Sequence, residues 1–295
     1  MRDAPLDLDG IDWERTAFGL ICPDAVVRHL GTSIVRRLGE AGFRPLAWRC
    51  LWQRPLELDA YFERNITQVW HAYLYRLADR VFEFGPTVAL LLHDERPVDG
   101  VPTHQRLRAV KGSSEPARST PGTIRADLGL INVTLGLMHS ADSAEESRHE
   151  AEVYVGPGGW TAGQDPADLY AHLAALESMR PPERRGYDEV LAGLRARIVA
   201  VLWHGLPAAA REQADKLLAG GVAALAAPGA GARLADLMDE PHPLLPALRC
   251  EYLPGEPRLD TDRLRALLRA HGSDLDPWED LVLATSMRFE PRRAS

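Results

Sequence analysis

Cysteine is scarce in this sequence, which contains three cysteines in 295 residues. Cys22, Cys50 and Cys250 lie far apart, and no two of them have the spacing of metal ligands. The pattern therefore argues against a cysteine-based metal site and against a disulfide framework. We expect reduced thiols, as is usual in cytoplasmic proteins.

Long apolar runs are also missing. No run approaches the length that an α-helix needs to cross a bilayer. Residues 1–10 are acidic and contain no apolar core of the kind found in secretion signals. The expected location is the cytoplasm, and we expect no membrane partner.

Positive charge is in the minority. The chain has 34 Lys and Arg against 42 Asp and Glu, a formal net charge of −8. The long-range field of such a chain repels polyanions, so we expect no nucleic-acid partner. Any phosphate group must then be held by a local cluster of arginines.

The second half of the chain lacks recognisable chemical motifs. After a Gly-Pro-Gly-Gly linker at 156–159, it contains no Walker loop, no dinucleotide fingerprint and no paired His or Cys at ligand spacing. Apolar periodicity and helix caps predict a mainly helical domain over 156–295. We expect helices from Asp165-Pro166 onward, over 187–202, and near 207–226, 231–239, 261–271 after a Thr261 cap, and 277–288 after Asp276-Pro277. The domain could pack against the first half, cover its site or mediate assembly.

The first half alternates between patterns of buried strands and of helices. The predicted strands are 16–22, 43–52 and 87–93, and the predicted helices are 25–41, 56–62, 67–82 and 103–110. Gly42 is a natural stop for the first helix. Residues 111–123 are rich in Gly, Ser and Pro and are expected to form a loop. A β-prone apolar run over 128–138 leads into a histidine.

One stretch of this half concentrates residues that can carry chemistry. Residues 121–127 read Pro-Gly-Thr-Ile-Arg-Ala-Asp, and His139 and Asp142-Ser143 follow the apolar run. Together with Cys22-Pro23-Asp24, these motifs resemble those of nucleoside diphosphate kinases, over about residues 12–155. The resemblance implies an α+β fold for residues 1–155, a ferredoxin-like α/β sandwich with an antiparallel sheet, followed by the helical domain.

The resemblance assigns the central chemical role to His139. In the family a histidine takes the terminal phosphoryl group of one nucleotide and passes it to another, a task for which a neutral imidazole is suited near pH 7. Glu150 matches the family glutamate that holds the far nitrogen of that histidine. Taken alone, His139 is more typical of a structural residue at a strand end, and Glu150 of a solvated helix residue.

A phosphate clamp is also implied. Arg108 and Arg125 align with family arginines that hold nucleotide phosphates, which suits bidentate guanidinium groups. Ser114 stands where the family has a phosphate-binding threonine, and Tyr61 matches a tyrosine near the phosphoryl group. Arg108 can equally be read as a surface arginine beside Arg106.

Two positions depart from the family pattern. Cys22 replaces a lysine, and Gly136 replaces an asparagine three residues before the histidine. The resemblance implies that both family side chains reach the ribose hydroxyls and that the lysine also approaches the transferred phosphate. Neither Cys nor Gly supplies a cation or an amide donor. We therefore expect phosphate recognition with altered sugar or acceptor recognition.

Two interpretations follow. The first is a divergent phosphotransferase that moves the terminal phosphoryl group of ATP or another NTP, through a phosphohistidine, to a (d)NDP or a modified phosphate-bearing acceptor. Mg²⁺ would arrive with the nucleotide and need no dedicated protein ligands. The second is a catalytically silent nucleotide-binding module that acts in regulation or assembly. A homo-oligomer is compatible with the resemblance, although the appended domain could block the family's contact faces.

Overall fold

A computed structural model describes residues 4–53, 58–59, 72–156, 158–238, 240–256 and 259–293. The chain divides into two compact units. The first comprises Met1–Leu130 and Thr134–Arg184, and the second comprises Ile131–Val133 and Arg185–Ser295. The first packing unit thus extends past the expected boundary at residues 155 and 156. That boundary remains a prediction about the extent of the kinase-like domain.

Four strands build the sheet of the first unit. They are β1 Thr16–Ile21, β2 Phe43–Leu51, β3 Thr87–Asp94 and β4 Met138–Ser140. Their order is β2-β3-β1-β4, and each neighbouring pair is antiparallel. This is the ferredoxin-like arrangement. The predicted α+β fold class is confirmed.

The position of each strand explains its sequence pattern. All six residues of the central strand β1 are buried, and so are nearly all of those in β3, so both strands read as continuous apolar runs. The edge strand β2 instead alternates, with Phe43 buried and Arg44 exposed. Its register shifts between Pro45 and Ala47, where the proline cannot donate to the ladder.

The helices of the first unit are short. They are α1 Pro23–Val27, α2 Gly31–Glu40, α3 Ala72–Phe82, α4 Thr103–Lys111, α5 Ile124–Asp127, α6 Ala144–Val155 and α7 Pro166–Ser178. The single helix predicted over 25–41 is therefore two helices, separated at His29, whose φ is +57°. The predicted helix at 56–62 and the beginning of that at 67–82 lie largely outside the described residues.

Apolar side chains from the early and the late helices of the first unit share one core. Ile34 and Leu38 of α2 pack in the same buried cluster as Leu90 of β3. Leu169 and Leu173 of α7 belong to this cluster too, which is why α7 joins the first unit. Burial of one such side chain stabilises the fold by about 1.5–3 kcal/mol.

A separate group of aromatic residues fixes α6 against the sheet. The ring of Phe18 in β1 lies 5.8 Å from that of Tyr154 and 6.4 Å from that of Trp160. The Tyr154 hydroxyl hydrogen-bonds Thr87 Oγ1 at 2.6 Å, and Trp160 Nε1 donates to the carbonyl of Ala151 at 3.0 Å. These contacts set the position of α6, the helix that carries Glu150.

The apolar run over 128–138 is a loop, which corrects the expectation of a strand along its length. Extended structure begins only at Met138. Gly129 and Leu137 have φ values of +74° and +71°, and a left-handed residue interrupts a strand. Ile131–Val133, in the middle of the run, belongs to the second unit.

The second unit is helical. Its helices are α8 Tyr187–Leu202, α9 Ala208–Ala219, α10 Gly221–Leu225, α11 Ala230–Ala235, α12 Leu245–Arg249, α13 Thr261–Arg269 and α14 Pro277–Ser286. The helix predicted over 207–226 is divided at Gly221, whose φ is +62°. No helix of the described residues combines the length and the apolar character that crossing a bilayer requires.

Two helix starts in this unit test the predicted caps. Asp276 caps α14 as expected, and its carboxylate accepts a hydrogen bond from the backbone of Glu279 at 3.0 Å. The cap of α13 is Asp260 and not Thr261, since Asp260 Oδ1 accepts from the backbone of Arg263 at 2.7 Å. Asp is a strong N-cap, and the threonine occupies the first helical position.

Asn132 provides a stability test for the second unit. Its fully buried amide donates to Thr285 Oγ1 at 2.9 Å. We expect Asn132→Ala to lower the free energy of unfolding by about 1–3 kcal/mol, because a buried hydroxyl loses its donor. Urea denaturation measures the change. Gln105→Ala, an exposed amide on α4, is the control, and an equal loss in both variants would contradict a specific role for Asn132.

Candidate active site

His139 and Glu150 form a hydrogen-bonded pair. His139 lies in the middle of β4, and its Nε2 is 3.1 Å from Glu150 Oε1 and 3.0 Å from Oε2. An ionised carboxylate only accepts hydrogen bonds, so the pair favours the tautomer that carries its proton on Nε2 and its lone pair on Nδ1. The His139 side chain is 38% exposed, which leaves the ring accessible to a ligand. The structure thus brings together the two residues predicted to be catalytic.

The start of α6 places Glu150 opposite this ring. Ser143 caps the helix, and its Oγ accepts a hydrogen bond from the Glu146 backbone at 3.1 Å. Glu146 Oε2 in turn accepts from the backbone of Asp142 at 3.0 Å. One turn further, Ser147 Oγ accepts from the backbone of Phe18 at 3.0 Å. The motif residues Asp142 and Ser143 therefore act as the capping segment of the helix.

Arg125 connects three stretches of backbone around β4. Its Nε donates to the carbonyl of Gly136 at 2.9 Å, its Nη1 to that of Gly112 at 3.1 Å and its Nη2 to that of Met138 at 2.6 Å. The side chain is largely buried. Arg125 therefore holds the end of α4 and the loop before His139, a role that the sequence did not predict.

The loop before His139 is held in a strained conformation. Leu137 has a φ of +71°, which an L-residue other than glycine rarely adopts, and it is fully buried. Its N–H donates to Asp24 Oδ2 at 3.0 Å, and its carbonyl accepts from the backbone of Cys22 at 3.0 Å. Such strain persists only where surrounding contacts impose it, at about 1–3 kcal/mol per residue. Asp24 is one of the site residues that sequence reasoning missed.

The remaining clamp residues differ in their surroundings. Arg108 is exposed at the last turn of α4, and Ser114 is half-buried in the loop that follows. Arg106, by contrast, forms an ion pair with Asp94, donates to a backbone carbonyl and lies over the Phe43 ring at 5.1 Å. Of the two neighbouring arginines Arg106 and Arg108, Arg106 is therefore the one with structural contacts.

Tyr61 falls outside the described residues. Its predicted place near the phosphoryl group stays a prediction.

Comparisons with known proteins match the first half of the chain. The family model described as nucleoside diphosphate kinase matches residues 14–158. The nucleoside diphosphate kinase of Dehalococcoides mccartyi is 30% identical over 141 residues, 48% of this chain and 91% of that protein. That of Streptomyces avermitilis is 33% identical over 136 residues, 46% of this chain and 91% of that protein.

The chain belongs to the nucleoside diphosphate kinase family. Membership supports kinase-type phosphoryl transfer and nucleotide binding. A crystal structure of the family, from Encephalitozoon cuniculi, aligns with 53% of this chain and 99% of its own length, at 20% identity and a TM-score of 0.42. The resemblance predicted from the sequence motifs is confirmed.

Cys22 and Gly136 are the two positions that were predicted to depart from the family pattern. Burial, followed by the nearby Asp24 carboxylate, raises the pKa of the Cys22 thiol, so the sulfur stays neutral at physiological pH. Gly136 contributes only its carbonyl, which accepts from Arg125. Neither position offers the nucleotide a cation or an amide.

Lys111 is the second site residue that sequence reasoning missed. It is buried, with its Nζ 2.7 Å from Ser140 Oγ and 3.4 Å from the Ser140 carbonyl. Lys111 lies three residues after Arg108 on α4, and residues at this spacing are neighbours on a helix surface. This spacing is the sequence feature from which its place near the site could have been predicted.

The different surroundings of the two clamp arginines give a test. We expect Arg125→Ala to lower the free energy of unfolding by about 2–4 kcal/mol, because three carbonyls lose their donor. Arg108→Ala, at an exposed position, should change it by less than about 0.5 kcal/mol. Urea denaturation of both variants provides the comparison. Equal stability in the two variants would show that the Arg125 contacts do not support the fold.

Proposed function

We propose that this chain transfers the terminal phosphoryl group of an NTP through His139 to a (d)NDP or a modified phosphate-bearing acceptor. The observation that carries the proposal is the His139–Glu150 pair, with Nε2 3.0 Å from the carboxylate and the ring accessible. A histidine oriented through one nitrogen by a carboxylate is suited to nucleophilic attack through the other.

The proposed reaction has two steps. In the first, the Nδ1 lone pair of His139 attacks the terminal phosphorus, the N–P bond forms, and the bond to the bridging oxygen breaks, so that the nucleoside diphosphate leaves with that electron pair. In the second, a terminal phosphate oxygen of the acceptor attacks the same phosphorus and the N–P bond breaks. Glu150 holds the Nε2 proton throughout and stabilises the positive charge that develops on the ring.

Positive groups around the pair suit an anionic substrate. Arg108 is exposed and Ser114 is half-buried, so both side chains have accessible surface with which to contact the phosphates of a nucleotide. Arg125 uses three of its five N–H groups on carbonyls and adds its charge at short range. Such groups lower the barrier by stabilising charge on the transferred phosphoryl oxygens.

The family's magnesium ion fits this site only together with a nucleotide. Among the described residues, no group of three or more His, Cys, Asp or Glu side chains is placed to hold a metal ion. The phosphate oxygens of the nucleotide, and not protein side chains, would then be the principal ligands of the magnesium ion. The ion, when bound with the nucleotide, neutralises phosphate charge.

A second candidate function is a silent nucleotide-binding module. The neutral thiol at Cys22, where the family has a lysine, favours it. Both functions require nucleotide binding, and only the first requires a covalent phosphoryl intermediate. The two therefore differ in one measurable property.

Intact-protein mass after incubation with ATP and magnesium decides between them. At neutral or alkaline pH, where phosphohistidine survives, we expect the wild type to gain one phosphoryl group and His139→Ala to gain none. Glu150→Gln should slow the gain by about 10–100-fold, because the ring loses its charged partner. His149→Ala, an exposed histidine beside Glu150, should behave as the wild type.

Failure of the covalent mechanism has a clear signature. A wild type that binds ATP in calorimetry and never gains phosphoryl mass, with or without acceptor, would leave the silent module as the function. Phosphorylation of the His139→Ala variant would assign the chemistry to a different residue.

A further inference from the structure

Lysine is rare in this chain, and one of its two lysines is buried beside the site. The 34 cationic residues include only Lys111 and Lys216 as lysines. Lys216 is exposed and pairs with Glu212 at 2.7 Å. Lys111 retains only 7% of its accessible surface. An arginine-rich chain thus has one of its two lysines at an internal position.

The direct contacts of Lys111 are with neutral groups. Its hydrogen-bond partners are the neutral hydroxyl and carbonyl oxygens of Ser140, and the described residues provide no carboxylate within ion-pair distance of its Nζ. A buried cation is costly unless an opposite charge accompanies it. The missing counter-charge points to an anionic ligand.

The charged groups that act on Lys111 are those of the candidate site. Arg108 lies on its own helix, Arg125 on α5, Asp142 in the turn after β4 and Glu150 on α6. Cys22, at the end of β1, is also within its electrostatic range. Burial, and then Arg125, lower the pKa of Lys111 to about 8, and the two carboxylates act in the opposite direction.

We propose that the Lys111 ammonium binds a phosphate oxygen of the nucleotide, and so supplies from α4 the positive charge that Cys22 does not supply from β1. The proposal rests on the proposed function, because that function is what assigns the nucleotide phosphates to the neighbourhood of His139. Arg125 cannot fill this role alone, since its guanidinium is bonded to three carbonyls. Lys111 adjoins Ser140, the residue after His139, and so lies next to the strand that carries the nucleophile.

Calorimetry with ADP and magnesium tests the proposal. At pH 7 we expect Lys111→Met to bind ADP about tenfold or more weakly, the effect of one lost charge-assisted hydrogen bond. Lys111→Arg should retain most of the affinity. Lys216→Met should bind as the wild type. Cys22→Lys introduced into Lys111→Met should recover affinity, since it returns a cation from the opposite side.

The pH dependence provides a second measurement that needs no variant. Only the protonated ammonium attracts phosphate, so wild-type affinity should be highest below pH 8 and fall as the pH rises through about 8. A bound phosphate stabilises the charged form, so ADP binding near pH 8.5 should take up protons, measured in buffers of different ionisation enthalpy. Lys111→Met should lose this uptake.

The possible outcomes separate the two proposals. Unchanged ADP affinity in a folded Lys111→Met, or absence of proton uptake in the wild type, overturns the role of Lys111 even if phosphohistidine forms. Weakened binding that Cys22→Lys recovers supports it, even if the wild type never gains phosphoryl mass. If Lys111→Met does not fold, the wild-type proton uptake decides. Weakened binding in Lys111→Met with a lowered melting temperature and no recovery by Cys22→Lys indicates a structural lysine and overturns the proposal.

Discussion

The backbone bonds of Arg125 are the constraint on which the site depends. One guanidinium joins the end of α4, the loop before β4 and β4 itself. The same loop contains Leu137 in a left-handed conformation, which the Asp24 carboxylate holds by accepting its N–H. Without these two anchors the loop could relax, and His139 would lose its alignment with Glu150. Preorganisation of this kind is how an enzyme orients a nucleophile before the substrate arrives.

The basic residues near His139 contrast with the negative net charge of the whole chain. The protein carries a net charge of −8, yet Arg108 and Arg125 both act electrostatically on Lys111, which contacts Ser140, the residue after His139. Arg108 and Arg125 disfavour the charge on Lys111, Asp142 and Glu150 favour it, and a bound phosphate would favour it further. With a net negative chain and a local group of cations, we expect small phosphates to bind in preference to nucleic acids, because a long polyanion meets the whole field and a nucleotide meets only the local one.

The sequence predicted the parts of the fold that depend on local patterns. The buried strands and the helix caps at Asp165 and Asp276 follow from periodicity and capping patterns, and the pairing of His139 with Glu150 is what the family resemblance implied. It did not predict the loop over 128–138, because a β-prone composition does not reveal that distant groups bind its backbone. Lys111 was missed for the same reason, since its burial depends on β4, which follows it in the chain by more than twenty residues.

The proposed exchange of Cys22 for Lys111 has a consequence for selectivity. The family resemblance implies one lysine that approaches both the phosphate and the sugar, whereas Lys111 is confined by burial and by Ser140 and is proposed to replace only the phosphate contact. Gly136 supplies no amide to the sugar either. Under the proposal, the binding energy would come mainly from the phosphates, and discrimination against an altered sugar would be weak, because a site rejects an analogue strongly only where its own buried polar groups would be left unpaired. Under the two proposals, loss of the sugar contacts with retention of a phosphate cation would broaden the acceptor range and leave the phosphoryl chemistry in place.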